Sequence, residues 1–200
     1  MNRKALVTLE DDKYEKDCTN KYVLTKEDVD DVVSKMIAVK SEIDAKTVYL
    51  QIDSKIVVVA NYGCIVNLES ISVNSQRRII KLFIKRIFDN SEIMTIDAIR
   101  IKTSHSGLNK LTNAIKRNHY GILLHSDYLV QTAEYVYALP DDCGRNIEYR
   151  YYRAYLSFDN RTVYSMQLNI RVDHMGAVLY DINKIKKSGW TIRLGKSGTL

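Results

Sequence analysis

The stretch that decides the fold is Tyr149–Phe158, YRYYRAYLSF, followed by Thr162–Val172, TVYSMQLNIRV, and Ala177–Ile182, AVLYDI. Each run is rich in β-branched and aromatic residues, and Asp159-Asn160-Arg161 and Asp173-His174-Met175-Gly176 separate them. Runs of that composition bounded by turn residues read as an antiparallel meander. Side chains alternate between the faces of a strand, so Tyr152, Ala154, Leu156 and Phe158 share a side that Tyr164, Met166, Leu168, Ile170 and Val172 continue. That side is the core. The other carries Tyr151, Arg153, Tyr155 and Ser157, then Ser165, Gln167, Asn169 and Arg171, with no carboxylate among them.

Upstream, the apolar spacing becomes helical. Thr25 precedes Val29, Val32, Val33, Met36 and Ile37, with Glu27 and Asp28 in the first turn, where a helix dipole favours acids. Thr47–Ile52 and Ile56–Ala60 flank Asp53-Ser54 and read as a hairpin. Ser75 is the expected cap of a helix with Ile79, Ile80, Phe83, Ile84, Ile87 and Phe88 on one side and Arg77, Arg78, Lys81, Lys85 and Arg86 on the other. That basic side reads as a solvated face that can extend an RNA-binding surface. Ile93–Ile101 alternates as a strand, while Leu108–Ile115 and Leu129–Leu139 read as helices, the second stopped by Pro140. The predicted class is α+β: helices packed on a curved antiparallel sheet, with an additional α/β part at the N-terminus.

The chain has 200 residues, a formal charge of +6 and 46% hydrophobic residues, which excludes a disordered tail or a disulfide miniprotein. Residues 1–90 hold fifteen Lys/Arg and fourteen Asp/Glu, whereas 91–200 hold fifteen and ten, so the charge belongs mainly to the second half. A soft boundary is placed near residue 90, giving an N-terminal targeting or partner-binding region, 1–90, and an RNA-binding or nuclease domain, 91–200. Cys18, Cys64 and Cys143 show neither disulfide nor zinc spacing. There is no apolar leader, and Ile56–Ala60 is too short to span a bilayer. The expectation is a cytoplasmic protein without metal or other cofactor.

The polar sheet face has the chemistry of an RNA surface. Arginine forks fit phosphate oxygens, tyrosines stack on unpaired bases and amides read base edges. All four histidines, His105, His119, His125 and His174, lie in the second half. A histidine pair can serve as general base and general acid, as metal-independent RNA cleavage needs. His119 follows Lys116-Arg117-Asn118, the most basic context of the four, and His105 sits in a Thr-Ser-His-Ser-Gly segment. Gly195-Lys196-Ser197-Gly198 lacks the upstream glycine and following helix of a phosphate-binding loop.

Three strings, SGLNKLTNAIKRNHYGILLHSDYLVQTAEYVYAL (106–139), YRYYRAYLSFDNRTVYSMQLNIRV (149–172) and AVLYDINKI (177–185), resemble phage and mobile-element modules of the barnase/EndoU/colicin/RelE (BECR) nuclease superfamily. The resemblance spans roughly 91–187 and implies a small ribonuclease of the toxin or effector type, active on the concave sheet face and the neighbouring helix. With the residue chemistry above, the candidate catalytic set is His119, His105, Arg153, Tyr155 and Arg171, and the candidate RNA contacts are Lys116, Arg117, Tyr151, Gln167, Asn169 and Tyr180. Because the chain opens at Met1 and stands alone, a free-standing intracellular effector is the natural form, and an anti-CRISPR acting on a guide RNA or Cas ribonucleoprotein is one such role. The alternative is a binding module that blocks a nucleoprotein by occupancy, without turnover.

Overall fold

The computed structural model describes residues 7–9, 13–60, 65–114, 120–158 and 162–191. A small pair of strands, β1 (Glu15–Lys16) and β2 (Tyr22–Val23), precedes helices α1 (Lys26–Ala38) and α2 (Lys40–Asp44). The hairpin β3 (Thr47–Ile52) and β4 (Lys55–Ala60) leads to the long helix α3 (Val73–Asn90). Then come β5 (Ile101–Lys102), α4 (His105–Ala114), α5 (Tyr120–Leu123) and α6 (Ser126–Thr132), and finally β6 (Glu134–Pro140), β7 (Glu148–Ser157), β8 (Thr162–Asp173) and β9 (Gly176–Thr191).

Local chemistry explains most of these bounds. The Thr25 hydroxyl accepts from the Asp28 N–H while the Asp28 carboxylate accepts from the Thr25 N–H, a reciprocal cap that starts α1. Val29, Val32, Val33 and Met36 then bury the face read from the sequence. Asp53 and Ser54 both have positive φ, 49° and 65°, which gives the two-residue turn whose twist matches the flanking strands. On α3 the cap is Ser72, not Ser75. Ser75 is buried in the first turn, where its hydroxyl accepts from Leu24 N–H.

Two expected elements take another form. The helix read over Leu129–Leu139 ends at Thr132, and Glu134–Pro140 is a strand paired antiparallel to β7. Tyr135, Val136 and Tyr137 favour a pleated surface, and an edge of β7 supplies the hydrogen bonds that decide the contest. The strand read over Ile93–Ile101 is reduced to an isolated Met94–Arg100 bridge and short β5. Ala98, at φ 62°, and the hydrogen bonds between Thr95 and Ile99 turn the chain back there. The apolar alternation serves instead to bury Ile93 and Ile101.

The sheet order is β3-β4-β7-β8-β9-β5, with β6 also on β7. The meander β7-β8-β9 is antiparallel as read, but β4 pairs in parallel with β7 and β5 with β9, so the sheet is mixed and strongly curled. The architecture is α+β. The N-terminal hairpin lies in the same sheet as the meander, and Val32, Ile80, Leu129 and Leu168 belong to one buried cluster. Tyr152 and Phe83 are among the largest fully buried side chains of that cluster. Each such side chain contributes roughly 1.5–3 kcal/mol by leaving water, so the helices are fixed against one sheet face. The other face of β7–β9 keeps the polar residues.

Candidate nucleic-acid interface

Register aligns the polar face into rows across the strands. Tyr137 of β6, Tyr151 of β7, Asn169 of β8 and Asp181 of β9 form one row. Tyr149 lies opposite Arg171 in the next, and Arg153, Gln167 and Asn183 form a third. A bulge follows Asn169, because Asn169 opposes Asp181 while Ile170 opposes Leu179. Leu179 and Ile182 stay in the core, and the extra residue places Tyr180 beside Asp181 on the polar side. This irregularity builds the aromatic part of the surface. The Tyr149 and Tyr180 rings have centroids 5.7 Å apart, and those of Tyr137 and Tyr151 stack at 4.5 Å.

Helix α4 closes one side of this surface. Its Gly107 packs so tightly on β9 that a Cβ there would meet the Leu179 carbonyl oxygen at 2.7 Å. The next turn brings the Lys110 ammonium 4.0 Å from the Tyr180 ring centroid, a cation held over an aromatic face.

The polar groups of the face are incompletely satisfied. Arg171 donates from Nη2 to Asp173 at 2.7 Å, but its Nε is buried without an acceptor. Asp181 is 6% exposed, accepts from Asn183 Nδ2 at 2.8 Å and among the described residues has no donor at Oδ1; Asn183 Oδ1 is likewise buried and without a partner among them. Gln167 donates to Asn169 and accepts from Lys184 at 2.9 Å. Buried polar atoms without partners are expensive in a folded protein. Three of them on adjacent strands mark this face as one that gains from a polar ligand.

The structure corrects two expectations about this surface. It is not free of acids, since β9 adds Asp181, the β8 end adds Asp173 and β6 adds Glu134. Nor is it open along its whole length. Tyr155, expected among the catalytic groups, is 4% exposed and packs with Val57, Val59 and Val163 in a second apolar cluster. The parallel pairing of β4 beside Tyr155–Ser157 brings that cluster together. Burial, with Glu134 adding to it and Arg153 opposing, raises the Tyr155 hydroxyl above its ordinary pKa, so the group is a donor and not a base at neutral pH. Tyr151 is pushed up as well, first by burial and then by Tyr137.

Of the remaining site residues, Arg153 is exposed opposite Gln167, while Arg171, Tyr151, Gln167, Asn169 and Tyr180 share the half-buried face. His105 is exposed as the first residue of α4, five residues before Lys110. His119, Lys116 and Arg117 lie outside the described residues. Cys18 and Cys143 are free and exposed. The sequence reading missed Tyr149, which has the same parity as Tyr151 and was findable, and Tyr137, which it assigned to a helix. Lys110 carried no signal, and the place of Asp181 on the polar face was not legible, because a helix packing and a bulge decide them.

No family model, curated protein or solved structure matches the chain. Among the described residues no helix is long and apolar enough to cross a membrane. What the site defines is a chemistry: paired aromatic rings, several amides, and cations beside Asp181, Asp173 and Glu134, on a curled sheet and the helix against it.

Proposed function

We propose that this chain binds unpaired RNA on the polar face of β7–β9 as a mobile-element effector of the BECR type. The observation that carries the reading is Arg171, with an unsatisfied Nε, set opposite Tyr149 of the Tyr149–Tyr180 pair and one row from the Tyr137–Tyr151 pair. Tyr149 and Tyr151 are two residues apart on one face, roughly 7 Å along the strand. Nucleotides stacked along a strand are spaced at about 3.4 Å, so the two pairs match bases two nucleotides apart. Arg171 and Lys110 supply phosphate contacts, and Asn169, Asn183 and Gln167 supply groups for base edges and the 2′-hydroxyl that marks RNA.

Cleavage is the catalytic extension of the same reading. A histidine takes the 2′-hydroxyl proton as the oxygen attacks phosphorus, and the 5′-oxygen leaves with a proton from a second acid. The phosphodiester becomes a 2′,3′-cyclic phosphate, with Arg171 stabilising the charged intermediate. His105 favours this version because α4, which it opens, also carries Lys110 over Tyr180.

The deciding experiment measures anisotropy of single-stranded RNA, including a guide RNA, with the native chain, Arg171→Gln and Tyr149→Ala/Tyr180→Ala. Salt-dependent binding lost in both variants supports the reading; no binding by the native chain sinks it. Incubation in EDTA then separates the versions. Shortened RNA that disappears with His105→Ala or His119→Ala marks an enzyme, and intact RNA in a tight stoichiometric complex marks the occupancy alternative.

A further inference from the structure

The five basic residues of α3 are not equivalent. Lys85 is paired with Asp89 and Arg86 with Asp30, and Arg78 donates to the Leu24 carbonyl oxygen at 2.9 Å. Arg77 and Lys81 have no acidic partner among the described residues. They lie one turn apart on the helix, where like charges repel. Both are half-buried, so water screens that repulsion less than on an open face. Among the described residues, the buried Arg77 Nε has no acceptor and Lys81 donates only to the neutral Asn109 side chain of α4, at 2.6 Å. Burial first, and the nearby Arg77 charge second, lower the Lys81 pKa.

Two cations held together in a helix–helix groove, one with an unsatisfied donor, form half of an anion site. Arginine offers a fork to phosphate oxygens and lysine a point charge beside it. Helix α4 is shared by this groove and the interface described above. Asn109, which holds Lys81, is the neighbour of Lys110, which lies over Tyr180. No acidic residue occurs in α4, HSGLNKLTNA.

We infer that Arg77 and Lys81, with Asn109, form a phosphate site in the α3–α4 groove, where the backbone of an RNA strand leaving the Tyr149–Tyr180 end of the sheet crosses α4. The strand source rests on the RNA reading; the anion chemistry of the groove does not. A free phosphate ester would be recognised by the same donors.

The test has two arms on the full chain. In the first, the salt dependence of single-stranded RNA affinity is measured for the native chain, Arg77→Gln/Lys81→Gln, Arg77→Lys and Arg171→Gln. Each lost contact to a single strand makes the slope of log K against log salt shallower by about 0.7, so the double variant should lose about 1.4 and Arg77→Lys almost nothing. In the second, the Arg77 Nε–H resonance is followed by NMR during titration with inorganic phosphate and with RNA. A shallower slope in the double variant, with the resonance moved by RNA, supports the inference. An unchanged slope and an unmoved resonance, while Arg171→Gln still weakens binding, overturn the inference and leave the RNA reading standing. A resonance moved by phosphate in a chain that binds no RNA overturns the RNA reading and keeps the groove as a site for a free phosphate ester.

Discussion

The Lys40 ammonium lies 2.7 Å from a carboxylate oxygen of Asp127, joining α2 to the first turn of α6. The same nitrogen reaches Asp44 at 2.7 Å and sits 4.4 Å from the Tyr128 ring centroid, while the Tyr128 hydroxyl donates to Asp44. Burial, the larger influence, raises the Asp127 carboxyl above its ordinary range, with Lys40 opposing. A pair held at that cost specifies which elements meet more than it stabilises them. Removing one member is a different matter. Asp127→Ala should lower the unfolding free energy by about 3 kcal/mol by stripping a partner from a buried charge. Lys40→Met/Asp127→Leu should recover most of the loss; urea denaturation of both variants checks this.

Tyr152 links the core to the 93–99 loop, its hydroxyl donating to both carboxylate oxygens of Asp97, at 3.0 and 3.1 Å. Burial, then the Asp97 contact, pushes its pKa from 10.0 up to about 12. The folded state therefore favours the neutral phenol more than the unfolded state does. The stability this contributes is complete below pH 10 and is lost as pH rises towards about 12. Unfolding measured in steps across that window should show a fall that Tyr152→Phe flattens, and tyrosinate absorbance should show one late-titrating group missing from the variant.

Gly107 tests the seat of α4. Its Cβ position meets backbone, not a movable side-chain end. Gly107→Ala should therefore destabilise the fold despite the better helix propensity of alanine. It should also shift α4 and weaken RNA binding by moving Lys110 from Tyr180. Thermal melts and anisotropy should worsen together, and a variant more stable than the native chain would contradict the packing.

The aromatic contacts give a graded expectation. Tyr180→Ala should cost about 1–3 kcal/mol of RNA affinity, the usual worth of one base–aromatic stack. Tyr180→Phe should keep most of it, because stacking uses the ring and not the hydroxyl. Equal losses in both would reassign Tyr180 from stacking to hydrogen bonding.

The meander was legible because Tyr149–Phe158 and Thr162–Val172 are rich in β-branched and aromatic residues and bounded by turn residues, and the parity of Tyr152, Ala154 and Leu156 identified the buried side. The α1 start was legible because Thr25 and Asp28 interact within one turn. Glu134–Pro140 was not, because its propensities are mixed and only the adjacent edge of β7 makes it a strand. Tyr155 has the parity of the polar face, yet β4, a hundred residues earlier in the chain, comes to lie beside it and fills its surroundings with valines.

For this protein, local patterning determined the elements whose stabilising contacts fall within a few residues: α1, the β3–β4 hairpin, most of α3 and the antiparallel core. Tertiary structure decided what those elements expose. It placed Asp181 and Tyr180 side by side through a bulge, put Lys110 over an aromatic ring, roofed Tyr155, and left Arg77 and Lys81 without acids among the described residues while pairing Lys85 and Arg86. Burial and electrostatic pairing depend on residues distant in sequence arriving at one place, and no spacing along the chain encodes that arrival.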